Sequence, residues 1–158
     1  MSDSPDTTGT WTDTSGVPRD PNLPTDGDDI YFGDTTASGL VMPMNAGGGD
    51  DTLITGTGYV LMGGGDGNDS LVAGAEGGEY FGNAGDDTLV GGGAADLLNG
   101  GEGNDVIQGG AGPDTMGLTG APAEYSWTSL PDGGWIVTDL VMNRDGTDTV
   151  ATDVERVF

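Results

Sequence analysis

Apolar side chains recur at every ninth position along the middle of the chain. Frames of nine residues that start at 46, 55, 64, 73, 82, 91, 100 and 109 each carry an apolar or aromatic residue at the eighth position. Two further frames, 24–32 and 33–41, join the series if residues 42–45 form an insertion. A fixed period of this kind predicts stacked structural repeats. The ten eighth-position residues are Tyr31, Leu40, Leu53, Met62, Leu71, Tyr80, Leu89, Leu98, Ile107 and Met116.

Each frame divides into a turn and a short strand. Neighbouring side chains of a strand face opposite sides, so a strand at positions seven to nine turns its eighth residue inward. The first six positions are rich in glycine, aspartate and asparagine, which tolerate the left-handed backbone conformations of turns. Stacked repeats would then bury a continuous apolar column that no single repeat could bury alone.

The composition alone would indicate a disordered chain, so the prediction of a folded domain depends on the periodicity. Glycine and proline contribute 33 and 8 of the 158 residues, a share that is typical of disorder when no period is present. The chain has 27 acidic residues and three arginines, with no lysine, histidine or cysteine, and its net charge is −24. A compact chain of this charge repels itself, so bound cations would stabilise it. Nucleic acid is not an expected partner, because phosphate binding needs clustered basic residues.

The same composition argues against catalysis and against a membrane span. Without histidine, cysteine or lysine the common bases and nucleophiles are absent, so we expect no enzyme. No apolar run approaches the length of a transmembrane helix. Residues 1–24 lack the basic and apolar regions of a classical signal peptide, so export would need another route.

The repeat Gly-Gly-x-Gly-x-Asp-x-apolar-x, as in 64–72 and 100–108, resembles the calcium-binding nonapeptide repeat of the RTX (hemolysin-type) proteins. The resemblance covers residues 24–117. It implies an all-β fold, a right-handed parallel β-roll of about five coils with two repeats per coil. It also implies that Ca²⁺ lies between turns stacked on the same edge, held by turn carbonyls and the sixth-position aspartate. Hard oxygen ligands of this kind suit Ca²⁺.

The resemblance assigns alternate turns to two edges of the roll. On one edge, which we call the acidic edge, every sixth residue is an aspartate: Asp29, Asp51, Asp69, Asp87 and Asp105. On the second edge the sixth residues are Ser38, Val60, Gly78, Asp96 and Asp114. One ion between successive complete turns gives four Ca²⁺ on the acidic edge and one on the second edge, a total of about four to five.

The calcium site residues implied by the resemblance come from both edges. They are Asp29, Ala46, Gly47, Gly48, Gly49, Asp51, Gly64, Gly65, Asp66, Gly67, Asp69, Gly82, Asn83, Ala84, Gly85, Asp87, Gly91, Gly93, Asp96, Gly100, Gly101, Glu102, Gly103, Asp105, Gly109, Gly110, Ala111, Gly112 and Asp114.

The ends of the chain fall outside the period. We expect a flexible segment at 1–23 and a C-terminal β cap at 118–158. Residues 124–130 and 135–141 flank a Pro-Asp-Gly-Gly turn and predict a β-hairpin with Trp127 and Trp135 in its core. The run 143–146 lacks the spacing of an EF-hand loop and is not counted as a calcium site. The tail from Asn143 resembles the segment that follows the repeats in many RTX proteins.

The resemblance of the tail implies an uncleaved type I secretion signal, with the secretion machinery as a partner. We therefore expect a secreted protein, extracellular or at the cell surface of a Gram-negative bacterium. An outward row at position nine would allow a homo-oligomer or filament, and four of its five residues are apolar: Phe32, Ile54, Val72 and Val90.

The sequence favours a structural role but leaves three functions open. The first is a calcium-binding structural protein that folds outside the cell and then self-assembles or adheres. The second is the calcium-binding export module of a larger exoenzyme or toxin. The third is an ice-binding roll, for which the outward threonines are too few.

Overall fold

The regular secondary structure is almost entirely β-strand in a computed structural model that describes residues 10–13, 27–33, 44–142 and 144–157. Within these residues no helix is long and apolar enough to cross a membrane. A 3-10 helix spans Pro122–Glu124. The strands are β1 Thr10–Asp13, β2 Asp29–Phe32, β3 Met44–Gly48, β4 Thr52–Ile54, β5 Val60–Asp66, β6 Ser70–Val72, β7 Gly78–Ala84, β8 Thr88–Val90, β9 Leu97–Glu102, β10 Val106–Gln108, β11 Asp114–Met116, β12 Tyr125–Ser129, β13 Trp135–Asp139, β14 Thr147–Val150 and β15 Val154–Val157.

Two sheets face each other across the core. One has the strand order β1-β2-β4-β6-β8-β10-β14-β13-β12 and the other β15-β11-β9-β7-β5-β3. Strands β2 to β11 alternate between the sheets along the chain, and within each sheet they pair with one another in parallel. The predicted all-β parallel roll is therefore confirmed.

The strand register shows how many repeats make one coil. In one sheet Leu53 lies beside Leu71, which lies beside Leu89. In the other sheet Met62 lies beside Tyr80. From β3 to β11, strand partners on successive coils are separated by 18 residues, so each of these coils uses two repeats, as predicted.

The eighth-position residues form the core of the roll. All those in the described part of the chain are buried, from Leu71 at 0% exposure to Tyr31 at 7%. Leu40, the remaining member of the series, lies outside that part. Val60 of the second edge is also fully buried, so it adds to the apolar column.

The first coil corrects the predicted position of the insertion. Met44 pairs with Met62 and Asn45 with Gly63, so these two residues occupy positions eight and nine of their repeat. Met44 and Asn45 therefore belong to the repeat and not to an insertion, whereas residues 42 and 43 lie outside the described residues. The packing explains the shift, because Met44 places an apolar side chain against the core. Ser38 also lies outside the described residues.

The C-terminal cap contains the predicted hairpin, in which β12 and β13 pair antiparallel. Its tryptophans, however, are not in its core: Trp127 and Trp135 are 38% and 43% exposed and pack edge to face with ring centroids 6.4 Å apart. Both tryptophans lie on β12 and β13, which are the last two strands of the nine-stranded sheet. The buried cap residues are instead Tyr125, Val137 and Val150, which join the core of the roll.

Candidate metal centre

The five aspartates of the acidic edge form one continuous stack. The backbone N–H of each donates to Oδ1 of the aspartate on the next coil, and all five side chains are 1–3% exposed. The N···O distances are 2.6 Å for Asp29 to Asp51, 2.8 Å for Asp51 to Asp69, 2.7 Å for Asp69 to Asp87 and 2.8 Å for Asp87 to Asp105. We call this series the aspartate stack. The sheet register thus brings together residues that are distant in the sequence.

Four carboxylates of the stack each have one oxygen that accepts no hydrogen bond. These buried atoms are Oδ2 of Asp51, Asp69, Asp87 and Asp105. A buried ionised carboxylate is costly unless a cation or further donors pair with it. The stack therefore presents a row of oxygens that require a positive partner.

Burial also changes the acidity of the stack. It raises the pKa of Asp51 and Asp87 to about 7, and the charges of neighbouring aspartates act in the same direction. Burial likewise raises the pKa of Asp69 and Asp105 to about 6. The folded stack without a cation consequently takes up protons at a higher pH than exposed aspartates do.

A second, exposed series of polar residues aligns the same turns at position five. Each backbone N–H donates to the side-chain Oδ1 of the preceding coil, at 2.8 Å from Asn68 to Asp50, from Asp86 to Asn68 and from Asn104 to Asp86. These bonds run in the opposite direction to those of the aspartate stack. Together the two series fix each turn against both of its neighbours.

The turns need glycine for two separate reasons. Positions two and four adopt positive φ, as at Gly65 (+133°) and Gly67 (+135°), where a side chain would be strained. Position one needs space, because a Cβ on Gly64 would lie 2.0 Å from Oδ2 of Asp69. The position-one glycine thus makes room for the carboxylate of its own turn.

We expect Gly85→Ala to destabilise the calcium-loaded protein by about 2 kcal/mol or more. Gly85 has φ +132°, and its added Cβ would lie 2.0 Å from the carbonyl oxygen of Gly67. Gly27→Ala is the matched control, since a Cβ there meets no atom within 4 Å. Urea unfolding of both variants at saturating Ca²⁺ measures the difference. Equal stability of the two variants would contradict the role of close turn stacking.

Among the described residues of the second edge, sixth-position aspartates occur only at the C-terminal end. The N–H of Gly78 donates to Oδ1 of Asp96 at 2.8 Å, and the N–H of Asp96 donates to Oδ1 of Asp114 at 2.9 Å. Oδ2 of Asp96 also accepts from Gly92, at 2.8 Å, whereas Oδ2 of Asp114 is buried without a partner. This edge therefore offers fewer unpaired oxygens than the aspartate stack.

The cap adds a sixth aspartate that the repeat pattern did not predict. The N–H of Asp105 donates to Oδ1 of Asp148 at 3.1 Å, and β14 pairs in parallel with β10. Burial raises the pKa of Asp148 to about 8, and the charges of Asp105 and Asp145 add to this effect. The sequence does contain a signal, because Gly146-x-Asp148-x-Val150 repeats the spacing Gly103-x-Asp105-x-Ile107.

The cap also closes the second edge with acidic side chains. Asp153 accepts from the N–H of Gly109 and of Gly110, both at 3.0 Å. Glu155 accepts from the N–H of Asp114 at 2.6 Å. Both oxygens of Asp153 are thereby hydrogen-bonded to backbone, which distinguishes this residue from the aspartates of the stack.

Comparison with known families identifies the repeats. The model of the RTX calcium-binding nonapeptide repeat matches residues 45–76 and 81–116, in four copies. Residues 45–76 and 81–116 are thus RTX calcium-binding repeats, as the sequence resemblance predicted, and they indicate a calcium-binding module in this part of the roll. A search of curated proteins found no match.

The residues present fit Ca²⁺. The stack supplies buried carboxylate oxygens without partners, and the turns bring backbone carbonyls of successive coils close together. Nowhere in the described part of the chain do three or more acidic side chains meet as a metal-binding group, so an ion here needs carbonyl ligands as well. A mixed set of carboxylate and carbonyl oxygens is what Ca²⁺ accepts.

Proposed function

We propose that the chain is a secreted structural protein whose roll folds when it meets extracellular Ca²⁺. The observation that carries this proposal is the aspartate stack, in which four consecutive buried carboxylates each keep an oxygen without a donor. A fold that buries such a series is unfavourable without cations and becomes favourable when ions enter between the coils.

The proposed ligands are the sixth-position aspartates and the carbonyls of the turns on each side of an ion. On the acidic edge the repeats provide four gaps, between Asp29 and Asp105, and the second edge provides one between Asp96 and Asp114. This arrangement supports about four to five ions. Ca²⁺ supplies positive charge and a flexible coordination shell, while the chain holds the carboxylates in register.

Calcium affinity would make the state of the chain depend on its compartment. Extracellular calcium modules bind at roughly 10⁻⁴ to 10⁻³ M, far above the free calcium of a resting cytosol. The chain would therefore remain unfolded where it is made and fold after export. An unfolded chain also suits type I secretion from a Gram-negative bacterium, the route that the resemblance of the tail implies.

We further propose that the folded roll associates through its outer apolar row. Phe32, Ile54, Val72 and Val90 lie side by side in register on one sheet. Phe32 is 54% exposed, and the other three are half-buried. A continuous row of this kind on a sheet surface favours contact with a second copy.

A calcium titration tests both parts of this function. From chelator to about 10 mM Ca²⁺ we expect new β signal in far-UV circular dichroism and compaction in sedimentation velocity. Growth into larger regular species that is lost in Val72→Thr/Val90→Thr would support assembly. A calcium-loaded monomer would overturn assembly alone and favour an export or partner-binding module. A chain with identical spectra in chelator and calcium would overturn the folding function.

A further inference from the structure

The cap continues the acidic edge with the same backbone contacts as a repeat. A Cβ on Gly146 would lie 1.9 Å from the Gly103 carbonyl oxygen, just as one on Gly103 would lie 2.0 Å from that of Gly85. The N–H of Thr147 donates to Oδ1 of Asn104 at 3.2 Å, which extends the position-five series. Residues 145–148 thus form a turn stacked on the last repeat turn, although they lie outside the family match.

Two buried oxygens at this junction accept no hydrogen bond. One is Oδ2 of Asp105, in the last repeat turn of the acidic edge, and the other is Oδ1 of Asp145, in the cap turn. Asp145 is 4% exposed, whereas Asp66 and Glu102, at the equivalent third position of repeat turns, are exposed. The cap therefore adds a buried carboxylate where a repeat turn has only a solvated one.

Arg144, the cation next to this junction, forms ion pairs with other acidic residues. Arg144 donates to Asp139 at 2.6 and 2.7 Å and to Glu124 at 2.8 Å. The N–H of Asp105 donates to Oδ1 of Asp148 at 3.1 Å, so the last repeat turn and the cap turn are in direct contact. Arg144 is paired with acids other than these junction aspartates.

We propose that Asp105 and Asp148, together with carbonyls of their turns, hold a further Ca²⁺ between the last repeat turn and the cap, and that the buried carboxylate of Asp145 beside them is needed to retain it. Asp145 also links this ion to the cap interior, since its Oδ2 accepts from the Tyr125 hydroxyl and from the Thr119 N–H, the latter at 3.0 Å. Ion binding at the junction would thereby fix the hairpin on the end of the roll. The inference rests on the proposed calcium-dependent folding and extends it to residues outside the repeats.

The test compares bound calcium in the wild type with Asp145→Asn and Asp148→Asn by equilibrium dialysis. Asp132→Asn in the exposed hairpin turn is the control. We expect each junction variant to bind one ion fewer than the wild type and the control to bind the wild-type number. In the junction variants the change in tryptophan emission should also need more Ca²⁺ than in the wild type. Wild-type stoichiometry in both junction variants would overturn the inference.

A calcium-loaded crystal structure of the wild type keeps the inference testable if the variants fail to fold. An ion within about 2.3–2.6 Å of carboxylate oxygens of both Asp105 and Asp148 would support it. Ions confined to the repeat turns would overturn it and leave the proposed function intact. A wild type that binds no calcium in dialysis would instead overturn the proposed function.

Discussion

Replacing Asp87 with asparagine is expected to raise the calcium concentration at half-folding roughly tenfold and to lower the cooperativity of folding. Asp87 lies in the middle of the aspartate stack, so its carboxylate borders the gap on each side. Asparagine keeps an oxygen that can accept from the Asp69 N–H, which Oδ1 of Asp87 now accepts at 2.7 Å. It removes the charge and one of the carboxylate oxygens. Both adjacent gaps should therefore bind Ca²⁺ more weakly.

The control for this experiment must remove a carboxylate without touching the stack. Glu76→Gln meets this need, because Glu76 is exposed on the second edge. Val60 also belongs to the second edge but is unsuitable, since it is fully buried and its truncation would leave a cavity. Far-UV circular dichroism against free Ca²⁺ measures the midpoints. Equal shifts in Asp87→Asn and Glu76→Gln would mean that net charge, and not the stack, controls folding.

Local periodicity was sufficient to predict the repetitive part of the fold. Leu71 and Asp69 each recur in a fixed frame, so one period places the first in the core and the second in the stack. Leu40 shows the limit of that method. Both Leu40 and Met44 are apolar, so the sequence allows either of them at position eight of this repeat. The strand register shows that Met44 is the partner of Met62.

The cap could not be predicted in the same way because its contacts are distant in sequence. Asp148 reaches Asp105 across 43 residues, and the hairpin interrupts the period between them. The apolar ring of Trp127 suggests a core position, but the residue lies on β12, the last strand of the nine-stranded sheet, and is 38% exposed. Long-range strand order decides both positions.

Acid should fold the calcium-free chain. In the folded stack burial raises the pKa of Asp51 and Asp87 to about 7, and that of Asp148 to about 8, from the ordinary value of 3.8. The folded state thus binds protons more tightly than the unfolded chain, so its stability falls as pH rises. Above about pH 8 these aspartates are ionised in the folded state, which is then least stable. As the pH falls towards 4 they take up protons and the folded state regains stability. Circular dichroism in chelator should show β signal appearing across this window.

The same substitution should have opposite effects with and without calcium. The asparagine of the Asp87→Asn variant has no charge to bury, so without Ca²⁺ the variant should fold at a higher pH than the wild type. With Ca²⁺ it lacks a ligand and should fold less readily. Glu76→Gln should alter neither midpoint appreciably, because Glu76 is exposed. A destabilising effect of Asp87→Asn under both conditions would show that the carboxylate acts through its hydrogen bonds, whereas a reversal of sign would show that its buried charge makes folding depend on calcium.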